Sequence, residues 1–199
     1  MSTTLYLVRH GESEANAASV FAGQTDSPLT PKGREQAKVV ATALRPIHFD
    51  RIVTSTLSRT KDTAAEIAAG RGVPVEAFAD LNEIDLGDAA GKPFDEVRGL
   101  PGYESDGFHQ WPGGESLDQV VTRAMRVIDR LAAANPGTTI CVVGHGGVTR
   151  ILVSSFMGVL PKLIRVPATN TNITIVSHDP EQGYVVQEMF KDTHVVEIA

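Results

Sequence analysis

The stretch Thr139-Ile140-Cys141-Val142-Val143-Gly144-His145-Gly146-Gly147 decides the fold. Its first five residues are almost all apolar and lack the alternation of a strand that is half exposed. A strand of this kind is covered on both faces, as in the sheet of an α/β layer protein. The glycines end the strand, and Ile151, Leu152 and Phe156 then fit a helix opening near Gly146.

The same strand-to-helix unit recurs outward from that point. Residues 5–8 form a strand running into Arg9-His10-Gly11-Glu12. Ile52 and Val53 mark a short strand before Thr54-Ser55-Thr56-Leu57-Ser58-Arg59, with a helix over 57–69. Thr30-Pro31 reads as an N-cap followed by proline in the first turn. Ala37, Val40, Ala41 and Leu44 then share one face, and Pro46 stops the helix. Ser116 and Gln119 match a capping box ahead of a stripe formed by Leu117, Val120, Val121, Ala124, Ile128 and Leu131. Residues 172–177 and 184–190 read as two strands, an antiparallel hairpin at one edge of the sheet. The expected fold is α/β, one domain over residues 1–199. Residues 87–114 are rich in glycine and proline, weakly periodic, and long for a plain connection, as in a lid.

Bulk properties narrow the function. The chain has 199 residues, 42% hydrophobic and 21% charged, with a formal net charge of −6. Those values fit an ordinary globular domain with a substantial core and argue against disorder. No basic stripe marks a nucleic-acid binder, and no apolar run is long enough for a membrane span. The start of the chain lacks the basic lead and apolar region of a signal peptide, so a soluble, cytoplasmic protein is expected. The single cysteine, Cys141, supports neither a disulfide framework nor a Cys-based zinc site, and reads as a buried strand residue. No long apolar stripe announces an interface, and a homodimer is compatible with the sequence.

Four segments could carry chemistry. His10 follows a strand, where α/β sheets bind ligands, and could attack phosphorus as a neutral imidazole. Arg9 beside it offers a fixed cationic fork for phosphate oxygens, and Gly11 permits close backbone approach. His145 and Gly146 sit where a helix N-terminus would favour an anion. Arg59, near another helix start, opposes the helix dipole and so would welcome an anionic partner. Glu83, in Leu81-Asn82-Glu83-Ile84, could donate a proton to a leaving oxygen. Each segment alone also has a plain structural reading: a capping histidine, an exposed arginine or a solvated glutamate. Three of the four follow strands, so they converge at one end of one sheet. Together, two histidines, two arginines and one glutamate make a phosphoryl-transfer set. The arginines and His145 would stabilise the equatorial oxygens, His10 would carry the phosphoryl group, and Glu83 would move the proton.

These segments resemble, in order, the motifs of the phosphoglycerate-mutase-like histidine phosphatase superfamily. The matching stretches are Leu7-Val8-Arg9-His10-Gly11-Glu12-Ser13 through Asn16, Asp26-Ser27-Pro28-Leu29-Thr30-Pro31-Lys32-Gly33 and Ser55 to Thr60 around Arg59. Leu81 to Gly87 around Glu83, Gly113-Gly114-Glu115-Ser116 and Val143-Gly144-His145-Gly146-Gly147 complete them. The resemblance implies a mainly parallel sheet with helices on both faces, and no metal or organic cofactor. It further implies that Arg9, Arg59 and His145 bind the phosphoryl group with His10, and that Asn16 is a pocket residue. Where related phosphatases often carry a pocket glutamine this chain has Ala22, and Gln24 is the expected substitute. The segment Asp88-Ala89-Ala90-Gly91 is small where a bulky aromatic is common, implying a wider entrance.

The expected substrate is a small phosphorylated metabolite. Mutases of this family resemble each other in a longer basic insertion after the acidic residue. Here the stretch from Glu83 to Gly113 is short, with Lys92, Arg98 and His109 as its positive groups, which favours hydrolysis. Phe108 and Trp111 could wall the substrate pocket. A phosphoglycerate-mutase-type transfer is the first alternative, and a catalytically silent phospho-ligand binder the second, although the latter has no need of both His10 and Glu83. The chain lacks the G-x-S-x-G elbow of serine hydrolases, the phosphate-binding G-x-x-x-x-G-K-[ST] and the zinc motif H-E-x-x-H.

Overall fold

The computed structural model describes residues 1–100, 103, 110–134, 136–164 and 166–194. Its elements in chain order are β1 (Thr3–Arg9), α1 (Glu14–Ala17), α2 (Pro31–Ala43), β2 (Arg51–Thr54), α3 (Ser58–Ala68), β3 (Val75–Ala77) and α4 (Phe94–Arg98). There follow α5 (Leu117–Ala134), β4 (Thr139–Gly144), α6 (Gly146–Phe156), β5 (Ile173–Asp179) and β6 (Gly183–Lys191). One six-stranded sheet runs in the order β3-β2-β4-β1-β5-β6. The first four strands of that order are mutually parallel. β5 runs against β1, and β6 turns back against β5 to form the edge.

Side-chain alternation divides the interior into two layers, because successive strand residues face opposite ways. Leu5, Leu7, Val53, Ile140 and Val142 pack with α5 and α6 on one face. Val8, Ile52, Cys141 and Val143 pack with α2 and α3 on the other. Helices therefore cover both faces, and each apolar side chain fully buried this way contributes about 1.5–3 kcal/mol. The apolar run 139–143 is explained: β4 is the strand between β1 and β2, paired on both edges and covered on both faces.

Local signals set the helix starts. The Thr30 side chain accepts from the Gly33 N–H at 2.9 Å, with Pro31 opening α2. Ser116 and Gln119 exchange side-chain and backbone hydrogen bonds ahead of α5. Gly33 matters for a different reason: a Cβ there would lie 1.9 Å from the Glu12 carbonyl oxygen, and one on Gly11 would lie 2.3 Å from that of Gly33. The loop after β1 thus crosses α2 backbone to backbone.

The sheet order is what makes the site. β1, β4 and β2 are neighbours and parallel, so the segments after their carboxyl ends come together. Those segments begin with His10, His145 and Ser55.

Candidate active site

His10 lies one residue beyond β1 and is only 3% exposed. Its N–H donates to the Gly144 carbonyl at 3.1 Å, tying it to the end of β4. Its carbonyl accepts from the Asn170 side chain at 3.1 Å. Nδ1 is 2.6 Å from the Gly11 carbonyl oxygen. A carbonyl only accepts, so Nδ1 carries the proton and Nε2 keeps its lone pair. Burial above all, then the charges of Arg9 and Arg59, holds the ring well below the usual histidine pKa, against the Gly11 hydrogen bond. His10 is therefore neutral, with a nucleophilic nitrogen.

The cations around it are under-compensated. Arg9 donates from Nη1 to the Ala168 carbonyl, while its buried Nε has no partner. Burial lowers its pKa to about 10, with Glu83 opposing the shift. Arg59, 2% exposed, is held by the carbonyls of Gly23 at 2.8 Å and Thr25 at 3.0 Å. His145 is fully buried and its ring centroid is 5.3 Å from that of His10. Its Nε2 meets Ser55 Oγ at 2.8 Å and its Nδ1 is unpartnered. Burial first, then His10 and the nearby arginines, keeps it neutral as well. Two buried guanidinium groups beside unpaired polar nitrogens form a strong anion site in a chain that is acidic as a whole.

Glu83 lines the same cavity as His10, Arg9 and Arg59. Its carboxylate accepts from the N–H groups of Ile84 at 3.0 Å, and of Gly147 and Val148 at 3.2 Å each. The start of α6, expected from the sequence to face an anionic ligand, thus holds the Glu83 carboxylate at Gly147 and Val148, while Gly146 lines the cavity. A Cβ on Gly147 would lie 2.5 Å from Glu83 Oε1, so only glycine lets the carboxylate seat there. Arg123, on α5, fixes the loop carrying Glu83. It donates to the carbonyls of Asp80 (2.8 Å), Asn82 (2.7 Å) and Glu83 (3.0 Å), and forks onto Glu115 at 2.6 and 2.9 Å.

A cavity of about 230 Å³ is lined by His10, Arg9, Arg59 and Glu83, while His145 lies fully buried behind the lining residues. Asn16 also lines it; its Oδ1 accepts from the Ser13 N–H and from Asn170, both at 3.2 Å, leaving its NH₂ end as a donor. Gln24 is exposed and lies outside the lining, where Ala22 stands instead. The outer wall is Phe21, Phe94, Tyr103 and Trp111, with Arg150 as a further cation. Trp111 is 6% exposed and packs with Ala89, Leu86 and Val97, so of the small residues at 88–91 only Ala89 is covered, by an aromatic from later in the chain, while Asp88, Ala90 and Gly91 are exposed. Lys92, just before α4, pairs with Glu96, and Arg98 pairs with Asp95 of the same helix; neither cation lines the cavity. His109 and Phe108 fall outside the described residues. Sequence reasoning missed Arg123, Arg150 and Asn170, which belong to none of its motifs, and it gave no separate role to Ser55, which stands inside the motif around Arg59. Among the described residues no group of three or more His, Cys, Asp or Glu side chains could hold a metal ion, and no helix is long and apolar enough to cross a membrane.

His10, buried and neutral near two arginines at the carboxyl ends of parallel strands, shares its cavity with the Glu83 carboxylate. Comparison with known proteins gives the family. The profile of the histidine phosphatase superfamily (branch 1) matches residues 5–190, and the chain belongs to that superfamily. It is 35% identical over 162 residues to the adenosylcobalamin/alpha-ribazole phosphatase of Salmonella typhimurium, covering 77% of this chain and 79% of the relative. It is 34% identical over 205 residues to the probable phosphoglycerate mutase GpmB of Cronobacter sakazakii, covering 96% and 94%. Among solved structures, Bacillus stearothermophilus YhfR superposes with a TM-score of 0.87 at 34% identity, covering 96% of this chain and 98% of that one. A phosphoserine phosphatase from Entamoeba histolytica, bound to 3-phosphoglyceric acid, superposes with a TM-score of 0.85 at 27% identity, covering 98% and 100%.

Proposed function

We propose that this protein is a metal-independent phosphatase that hydrolyses small phosphomonoesters through a phosphohistidine on His10. The observation that carries the reading is the His10 ring: neutral, its Nδ1 proton committed to Gly11, and its Nε2 lone pair in a cavity shared with Arg9, Arg59 and Glu83. In the first step Nε2 bonds to phosphorus as the phosphorus–oxygen ester bond breaks. Glu83, which in this reading carries a proton when the ester is bound, gives it to the departing alkoxide. In the second step water attacks phosphorus, Glu83 takes a water proton, and the phosphorus–nitrogen bond breaks to release phosphate. Arg9, Arg59, His145 and the Asn16 amide hold the equatorial oxygens, where preorganised donors are worth most. Gln24 has no such role in this reading.

Hydrolysis is favoured over mutase transfer by the short segment after Glu83. Its two described cations, Lys92 and Arg98, are spent on ion pairs outside the cavity, so little there would hold a phosphorylated intermediate against water. The 87–114 segment acts as a lid that contributes Phe94, Tyr103 and Trp111 to the leaving-group side. The names of the relatives support both activities. The test is phosphate release from a panel of phosphomonoesters by wild type and His10→Ala, with chelator present. Release that survives chelation and disappears in His10→Ala is expected. Wild-type release no faster than His10→Ala across the panel would overturn the phosphatase reading and leave phosphoglycerate isomerisation, and then binding without turnover, to be assayed.

A further inference from the structure

The hydroxyls behind His145 decide which of its nitrogens carries the proton. His145 Nε2 is 2.8 Å from Ser55 Oγ, Ser55 Oγ is 2.7 Å from Thr60 Oγ1, and Thr60 Oγ1 is 2.9 Å from the Leu57 carbonyl oxygen. All three side chains are fully buried. The carbonyl only accepts, so the chain has a fixed end. If every proton points toward that end, Nε2–H donates to Ser55, Ser55 to Thr60 and Thr60 to Leu57, and each contact holds one proton. In the reverse order Thr60 donates to Ser55 and Ser55 to Nε2. The Thr60–Leu57 contact at 2.9 Å then sets two oxygens together with no proton between them. The reverse order also places an N–H at the unpartnered Nδ1, in the field of Arg9 and Arg59; the forward order places a lone pair there.

We propose that Ser55 and Thr60 are positioning residues that hold His145 as its Nε2–H tautomer, so that binding of a tetrahedral anion draws one proton onto the bare Nδ1 side of the ring. The proposal rests on the reading of this pocket as a phosphoryl site. A fully ionised anion meets a lone pair at Nδ1 and binds well only once Nδ1 takes a proton from solvent. A monoanionic phosphoryl group brings its own proton and shares it with Nδ1. The groups facing His145 are His10 and Arg9 from the end of β1, Arg59 from α3 and Arg123 from α5, with Glu83 against the first turn of α6. A positive charge on His145 is costly among those arginines, and becomes favourable when the anion's negative charge arrives.

The test uses the intact protein labelled in histidine nitrogens, with sulfate and inorganic phosphate as probes. Nitrogen NMR of the free protein is expected to show a neutral His145 protonated at Nε2, and sulfate is expected to protonate both nitrogens. Sulfate stays fully ionised, so its Kd should rise about tenfold per pH unit above neutrality, with uptake of about one proton in calorimetry. Phosphate monoanion, present toward about pH 6, should bind with little uptake. The uptake should persist in His10→Ala and in Glu83→Gln, which remove the other two candidate proton acceptors of the cavity. Thr60→Val frees Ser55 to donate to Nε2, moves the His145 proton to Nδ1 and flattens the pH dependence of sulfate binding. A free protein with the proton on Nδ1, or a sulfate affinity unchanged between about pH 6 and about pH 8, overturns the proposal. Sulfate that fails to bind at all overturns the phosphoryl-site reading, and the tautomer spectrum then decides the roles of Ser55 and Thr60 separately.

Discussion

His10 and His145 are both buried, and that has a sign for pH. Burial chiefly holds both rings well below the usual value, so the folded protein resists protons that the unfolded chain takes up near about pH 6.5. Their neutral burial therefore favours the fold fully above that pH, and the stabilisation is lost as pH falls toward the folded-state values. The thermal midpoint should drop on acidification below about pH 6.5, and sulfate should offset part of the drop; scanning calorimetry across that range checks it. A midpoint level across the range would contradict the neutral, buried assignment. The glycine at 147 gives a second residue-scale prediction. Gly147→Ala puts a Cβ 2.5 Å from Glu83 Oε1 and must push the carboxylate aside. Since a placed acid–base group is worth about 10²–10⁴ in rate, kcat should fall at least about a hundredfold, with the protein still folded by circular dichroism.

The elements show why motifs near strand ends were readable and their supports were not. Thr30-Pro31, the 116–119 capping box and the apolar run of β4 are local signals, and each appears where the spacing places it. Arg123 belongs to α5 but serves a loop some forty residues earlier, so no local pattern reveals it. Burial works to raise the Glu115 pKa, and is outweighed by the hydrogen bond from Arg123, the Asp85 N–H and the Arg123 charge, which hold it below the usual range. Arg123→Met removes five donor contacts from this loop at once. The loop with Glu83 should loosen, lowering kcat about tenfold to a hundredfold while KM changes less, as steady-state kinetics would show. The crossing of the β1 loop over α2 predicts a stability effect instead. Gly33→Ala forces backbone apart and should cost about 1–3 kcal/mol in denaturant unfolding, or prevent folding.

At the scale of the molecule, the sheet order turns scattered motifs into one site. The alternation of strands and helices indicated an α/β fold, and the family resemblance added the parallel sheet; the order β3-β2-β4-β1-β5-β6 follows from long-range packing that no single segment encodes. His10, Arg9 and Arg59 share one cavity because their motifs follow strands that become neighbours, and Glu83 reaches the same cavity from the segment after β3. Gln24 was misleading because proximity in sequence to Ala22 does not bring its side chain into the cavity. That Arg150, Phe21, Phe94, Tyr103 and Trp111 line one cavity follows from long-range packing, which spacing alone does not express. The phosphohistidine is the point on which the whole reading turns. Wild type and His10→Ala should be mixed with a radiolabelled phosphomonoester, quenched rapidly without acid, and digested for mass spectrometry. Label on the peptide carrying His10, forming and decaying at the rate of turnover and missing from His10→Ala, is the expected result. Turnover by wild type with no label on His10 would contradict the mechanism.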